Sequence, residues 1–242
     1  MRVGEDYQEL ISENLSLQSV PGYKQVLPVF STDIQAATGK TQQTASGNPA
    51  AITMKRVIDF SQGTLQASGN PYHVAVEGHA FFEVREADGS TSYTRNGDFS
   101  LSPKGQLNTS DGASVLGKGG SPVKIDTSLG GPVQIGTDGT ISINGTQQGT
   151  LGLVHFDNPS ASLQTSAYGR FTASNSADAK AGLAPNDQVM QGTLEQSNGN
   201  PIIQMADMIQ AARLYEANSK SVKAVDDAQS QLVTTLGTRP SS

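Results

Sequence analysis

The sequence predicts an α+β chain: an antiparallel β-rich central domain inserted between N- and C-terminal helices that form a coiled-coil-like assembly region. Three observations carry this. Short β-prone runs between residues 72 and 156 are punctuated by Asp88-Gly89, Asn96-Gly97, Lys104-Gly105, Asp111-Gly112, Asp138-Gly139 and Asn144-Gly145, pairs that supply φ > 0 at low cost in tight hairpins. From 201 to 236 no Gly occurs and no Pro follows the first residue. An apolar stretch near the N-terminus stops at Pro21-Gly22. The expected layout is an N-terminal helix region (1–30), a connector with a short strand (31–71), a β-domain (72–171), a second connector (172–196) and a long C-terminal helix region (197–242).

Taken in order, Leu10, Ile11, Leu15 and Leu17 supply the apolar positions of the first helix. The run from Thr38 to Pro49 is polar and turn-rich, which marks a connector. Val57, Ile58 and Phe60 make a brief strand. Within the β-domain, strands are expected at 72–76, 80–85, 91–94, 98–101, 106–109, 132–135, 140–143 and 149–156, a spacing that suits a small antiparallel domain. Val74, Val76, Phe81, Val84, Tyr93, Phe99, Leu101, Leu107, Val115, Leu116, Ile135, Ile141, Ile143, Leu151, Leu153 and Phe156 are its expected core. The segment 172–191 is rich in Ala, Ser, Asn and Gly and reads as the return connector.

The last helix opens at Asn200-Pro201, a favoured cap followed by a residue suited to the first helical position. Gly237 and Pro240 close it. Met208, Ala211, Tyr215, Asn218, Val222, Val225, Gln229, Leu232 and Leu236 fall at alternating spacings of three and four, the pattern of a seam that packs on another helix. Glu216→Lys220 and Lys223→Asp227 support the outer faces at i,i+4. At ~1.5 Å per residue the helix reaches ~50 Å, more than the N-terminal helix can cover. The expected subunit interface is therefore Leu10, Ile11, Asn14, Leu15, Met208, Ala211, Tyr215, Asn218, Val222, Val225, Leu232 and Leu236.

Composition narrows the function. Net charge is −6 with no basic run, so the phosphate-neutralising footprint of a nucleic-acid binder is missing. The absence of Cys removes disulfides and thiolate metal sites. No apolar segment approaches the ~20 residues of a membrane span, and the first residues lack the apolar core of a secretory signal. His73, His79 and His155 show no metal-ligand spacing, and neither a nucleophile elbow nor a phosphate loop occurs. Asp88, Asp111 and Asp138 each precede a turn Gly, which accounts for them without a metal. Asn70-Pro71-Tyr72-His73 has the ingredients of a self-cleaving loop, but Gly-Asn-Pro recurs at Gly47, Gly69 and Gly199, which favours simple turn use. No enzyme, cofactor, metal or small-molecule substrate is expected.

Several segments resemble flagellar rod and hook proteins. Glu13-Asn14-Leu15-Ser16-Leu17-Gln18-Ser19-Val20-Pro21-Gly22-Tyr23-Lys24 is similar to their Asn-Asn-Leu-Ala-Asn-x-x-Thr-Pro-Gly-Tyr/Phe-Lys signature. Gln62-Gly63-Thr64-Leu65 with Ser68-Gly69-Asn70-Pro71, then 74–84, then Tyr93-Thr94-Arg95-Asn96-Gly97-Asp98-Phe99, then Leu194-Glu195-Gln196-Ser197-Asn198 and 208–220 follow in the family's order. Leu17, Val20 and Pro201 depart from the pattern, and only thirteen residues precede Asn14: either the start of the sequence is wrongly placed, or this is a divergent copy with a weakened N-terminal seam. The resemblance implies a self-assembling subunit of the basal-body rod, with copies of itself and homologous rod or hook subunits as partners. It also implies delivery by the flagellar type III export apparatus without a cleaved signal, and a place in the periplasm-spanning rod. The single compact β-domain and the segment 138–142 lean toward the proximal rod; a hook or distal-rod subunit is the alternative within the family. A secreted carbohydrate-binding module is the alternative outside it, but it lacks a defensible pair of acids.

Overall fold

Turn chemistry sets the first level of the fold. In the computed structural model, which describes residues 2–32, 52–174 and 178–237, Gly89, Gly105, Gly112 and Gly139 all take positive φ. Asn144 (φ 49°) and Gly145 (φ 77°) are both left-handed, as a two-residue hairpin turn of type I′ requires. Asp88 and Asp138 each accept the backbone N–H two residues on, from Ser90 at 2.8 Å and from Thr140 at 2.9 Å. These carboxylates are used up by their own turns. Asn96-Gly97 differs from expectation. Gly97 is not left-handed; a Cβ there would sit 1.5 Å from the Val74 carbonyl oxygen, so the glycine serves close backbone approach.

The strands are short. They are β1 (Val26–Thr32), β2 (Ile52–Ile58), β3 (Leu65–Ala67), β4 (Val74–Glu77), β5 (Phe81–Arg85), β6 (Thr91–Thr94), β7 (Phe99–Leu101), β8 (Leu107–Thr109), β9 (Ser114–Val115), β10 (Val133–Ile135), β11 (Thr140–Ile143), β12 (Thr146–Thr150), β13 (Leu153–Phe156), β14 (Leu163–Thr165), β15 (Phe171–Ala173), β16 (Ala179–Ala181), β17 (Gln188–Gln191) and β18 (Thr193–Glu195). The helices are α1 (Arg2–Leu17), the single turn α2 (Pro159–Ser162) and α3 (Pro201–Gly237). The fold is α+β and mostly antiparallel.

The chain divides into two units. The larger holds residues 16–27 and 57–200. Its main sheet runs β14-β15-β6-β5-β9-β8-β7, with β13 joined to β5 and to β16. A three-stranded sheet, β10-β11-β12, and the pairs β17-β4 and β18-β3 complete it. Successive side chains of β5 point to opposite faces. Phe82 and Val84 enter one apolar cluster, with Val74, Phe99, Leu107, Ile141 and Leu151. Phe81 enters a second, with Tyr93, Phe156, Leu163 and Phe171. The sheet is thus buried on both sides at β5.

Two expectations change here. The single strand expected at 149–156 is two strands: β12 belongs to the three-stranded sheet and β13 to the main one, and the chain switches at Leu151-Gly152. A side chain at Gly152 would meet the Leu116 carbonyl at 2.9 Å, so the switch needs glycine. The stretch 172–196, read as a connector, is laid into β16, β17, β18 and the end of β15. Its polar side chains hid this, because the pairing is made by backbone: β17 pairs β4 across Gln188↔Glu77 to Gln191↔Val74.

The smaller unit is formed by the described residues of 1–15, 28–56 and 201–242. It contains most of α1, most of the two-stranded ribbon β1-β2, and α3. The expected connector run from Thr38 to Pro49 lies outside the described residues.

Candidate subunit interface

The helices of the smaller unit show how its apolar faces are spent. On α1, Tyr7 is half-buried and Leu10, Ile11 and Asn14 are buried, the i, i+3, i+4, i+7 stripe of a helix with one covered face. On α3 the same spacing recurs, with Gln204 and Ala211 buried and Asp207 and Met208 half-buried. Burial and then the Asp207 carboxylate raise the Tyr7 phenol above its ordinary value. The Tyr7 ring also meets Phe30 of β1 edge-on at 6.0 Å. Arg56 of β2 ties to α1 through Glu9 and Glu13 at 3.3 and 3.1 Å, contacts at the surface worth little each.

The expected interface residues separate accordingly. Leu10, Ile11, Asn14 and Ala211 are buried within this chain, Leu15 and Met208 are half-buried, and Tyr215 is 40% exposed. Asn218, Val222, Val225, Leu232 and Leu236 lie on α3, with side chains outside the described residues. Sequence reasoning missed a second apolar face on the first turns of α3: Ile202, Ile203, Met205 and Ile209 are 76%, 56%, 54% and 55% exposed. The heptad pattern, anchored at Met208, passed over it.

The larger unit is stitched where the chain enters and leaves it. Glu195, at the end of β18, is fully buried. It accepts Lys24 Nζ at 2.6 Å, Arg95 Nε at 2.8 Å and the Gly63 N–H at 2.9 Å. Lys24 also donates to the Ser61 carbonyl at 2.6 Å, and Arg95 to the carbonyls of Val76 at 3.0 Å and Ala80. Burial lowers the Lys24 ammonium below its ordinary value, against the opposing pull of Glu195. Asn198 closes the joint. Its side chain donates to the Asp59 and Ser61 carbonyls at 2.8 and 3.1 Å and accepts the Gln25 N–H at 2.8 Å. Gly22 (φ 69°) is the pivot: a Cβ on it would lie 2.3 Å from the Arg95 carbonyl carbon. Residues 21–24, 59–63, 93–97 and 194–198 are therefore one structural element, though they are far apart in sequence.

The histidines have local duties. His73 bridges Ser68 Oγ at 2.9 Å and Asp98 Oδ1 at 3.0 Å, while the Ser68 hydroxyl donates to the Gly192 carbonyl at 3.2 Å. The string holds the turn between β3 and β4. His155 Nδ1 lies 3.2 Å from the Gly182 carbonyl. Among the described residues no cluster of three or more His, Asp or Glu side chains is placed to hold a metal.

Comparison with known proteins assigns these segments. The model of the flagellar hook protein FlgE/F/G D1 domain matches residues 75–143, and that of the flagellar basal body rod FlgEFG protein C-terminal region matches residues 190–235. The chain is 32% identical over 95% of its length to the flagellar basal-body rod protein FlgF of Caulobacter vibrioides, covering 91% of that protein. It is 33% identical over 91% of its length to FlgF of Salmonella typhimurium, covering 88% of it. It is 34% identical over 96% of its length to the flagellar basal-body rod protein FlgG of Buchnera aphidicola subsp. Schizaphis graminum, covering 96% of it.

Proposed function

The chain belongs to the family of flagellar basal-body rod proteins, and from that premise we propose that it builds the rod through its terminal helices, packed with those of other copies and of homologous subunits. As a member of the family it is a structural subunit of the basal body. The assembly route is supported by one observation above the others: α3 runs for 37 residues, ~55 Å at ~1.5 Å per residue, and its first turns leave Ile202, Ile203, Met205 and Ile209 more than half exposed. Helices of other subunits cover what this chain leaves open on α3. Leu10, Ile11, Asn14, Leu15, Met208, Ala211, Tyr215, Asn218, Val222, Val225, Leu232 and Leu236 carry the coiled-coil-like packing in this reading. Delivery through the flagellar export apparatus and a position in the proximal rod belong to the same proposal.

Replacing a seam aliphatic with a carboxylate removes ~1.5–3 kcal/mol of burial and adds a charge to desolvate. Val222→Asp and Leu232→Asp are each expected to abolish incorporation into basal bodies while the β-rich unit melts as in the wild type. Motility restored by either variant, in a strain lacking the gene, rejects the proposal. Cross-linking in purified basal bodies decides between proximal rod, distal rod and hook by the identity of the neighbours captured.

A further inference from the structure

The larger unit contains a cavity with aromatic walls and a charged inner end. Its volume is about 480 Å³, within the ~300–1,000 Å³ of small-molecule sites. All of its lining residues belong to that one unit. Phe60, Phe81 and Phe156 form the walls, and Phe81 meets the other two rings edge-on at 5.8 and 5.9 Å. His79 and Asp157, also on the lining, are exposed and mark the mouth. Lys24 and Arg95 line the cavity too. Their side chains are only 1% and 2% exposed, which puts them at its inner end.

That inner end holds more positive charge and more donors than the protein answers. Lys24 and Arg95 share one buried carboxylate, Glu195. Burial disfavours the Lys24 ammonium, Glu195 and Asp59 favour it, Arg95 disfavours it, and the balance lies below its ordinary value. Among the described residues Lys24 Nζ has two acceptors, Glu195 and the Ser61 carbonyl, for three N–H groups. Arg95 has three, Glu195 and the carbonyls of Ala80 and Val76, for five. Buried donors beside a cavity cost desolvation energy until an acceptor reaches them. Asp157, the acid of the lining, is already paired with Lys180 at 2.5 Å.

We propose that this cavity binds a small aromatic carboxylate, with its carboxylate on Lys24 and Arg95 and its ring among Phe60, Phe81 and Phe156. The charge selects an anion, and the phenyl walls select a flat apolar body. An inorganic anion would leave those walls against water, and a neutral arene would leave the donors unmet. Because Lys24, Arg95 and Glu195 also tie the entry of the larger unit to its exit, a bound ligand stabilises that joint. The terminal helices play no part in this site, so it stands or falls apart from the assembly reading.

The test titrates the purified, isotope-labelled full chain with naphthoate and with its neutral counterpart, naphthamide. Naphthoate is expected to shift the amides of Ser61, His79 and Phe156 saturably, to leave those of Leu107 and Ile141 in place, and to raise the melting temperature. Naphthamide should bind at least about tenfold more weakly, having no charge to pair. Ala184, half-buried on the lining, allows a block that spares the charges: Ala184→Trp should abolish the shifts while the ligand-free chain melts as in the wild type. Lys24→Met should weaken naphthoate but not naphthamide. The inference is overturned if naphthoate leaves these amides unmoved up to its solubility, or if naphthamide binds as tightly as naphthoate. It is equally overturned if Ala184→Trp binds like the wild type, or if Lys24→Met leaves the affinity for naphthoate unchanged.

Discussion

Glu195 shows how a single residue holds the larger unit together. It is a fully buried carboxylate facing two buried cations, Lys24 and Arg95. Taking one partner from a buried ion pair costs ~3–5 kcal/mol, because the charge left behind has no water. Glu195→Ala strands both cations and is expected to fall in that range. Lys24→Met leaves the Arg95–Glu195 pair intact and removes an ammonium whose charged form burial already disfavours, so it should cost less. The two midpoints in urea, read by tyrosine circular dichroism, give the order; a Lys24→Met variant less stable than Glu195→Ala contradicts it. A second buried charge, Arg170, pairs with Glu86 and Asp111. Burial raises the Glu86 carboxyl, but the hydrogen bonds from Arg170 and Ser92 outweigh it and leave its pKa below the ordinary value. The unfolded chain therefore binds the proton first as pH falls. The contribution of Glu86 is complete above its unfolded pKa of ~4.3 and is lost as pH drops through the lower folded value. The stability gap between wild type and Glu86→Gln should narrow below about pH 4; a gap independent of pH from 7 to 3 refutes this.

At the scale of elements, legibility followed the kind of physics that held each one. The hairpins announced by Asp88-Gly89, Asp111-Gly112, Asp138-Gly139 and Asn144-Gly145 were readable, because the positive φ at these glycines makes such residues favourable there. The α3 helix was readable from 201 to 236 by its lack of breakers, and β5 by its aromatic and branched residues. Phe82 was left out of the expected core although it is fully buried. Strict alternation gives one inward face, whereas β5 is covered on both. β16 to β18 were illegible because polar side chains conceal a strand whose partners are set by tertiary pairing. The joint around Glu195 was visible only as family motifs; nothing local says that Lys24, Gly63, Arg95 and Glu195 converge. Gly97 is the clearest case of a motif residue with a non-local reason. Since a Cβ at Gly97 meets the Val74 carbonyl at 1.5 Å, while one at Gly119 meets nothing within 4 Å, Gly97→Ala should lower the melting temperature sharply and Gly119→Ala should leave it unchanged. Equal melting of the two variants removes the close-approach explanation.

For the whole molecule, the two units use different means of stability. The larger buries apolar clusters on both faces of β5 and adds the buried charged residues Lys24, Arg95, Arg170 and Glu195, each of them in an ion pair. The smaller has a ribbon and two helices of unequal length, with large aliphatic side chains exposed on the first turns of α3. Local opening costs least where few buried apolar contacts must be broken. In the isolated chain the amides of Val74, Phe82, Val84, Leu107 and Val115 should therefore exchange slowly, near the global limit. Those of Met205 and Ile209 should exchange markedly faster. On incorporation into basal bodies the α3 amides should slow, because a neighbouring helix then covers those exposed side chains, while those of the β-rich unit should stay as they were. If Met205 and Ile209 exchange as slowly in a verified monomer as Phe82 does, α3 is already complete within one chain. The argument that other subunits finish it would then lose its physical basis.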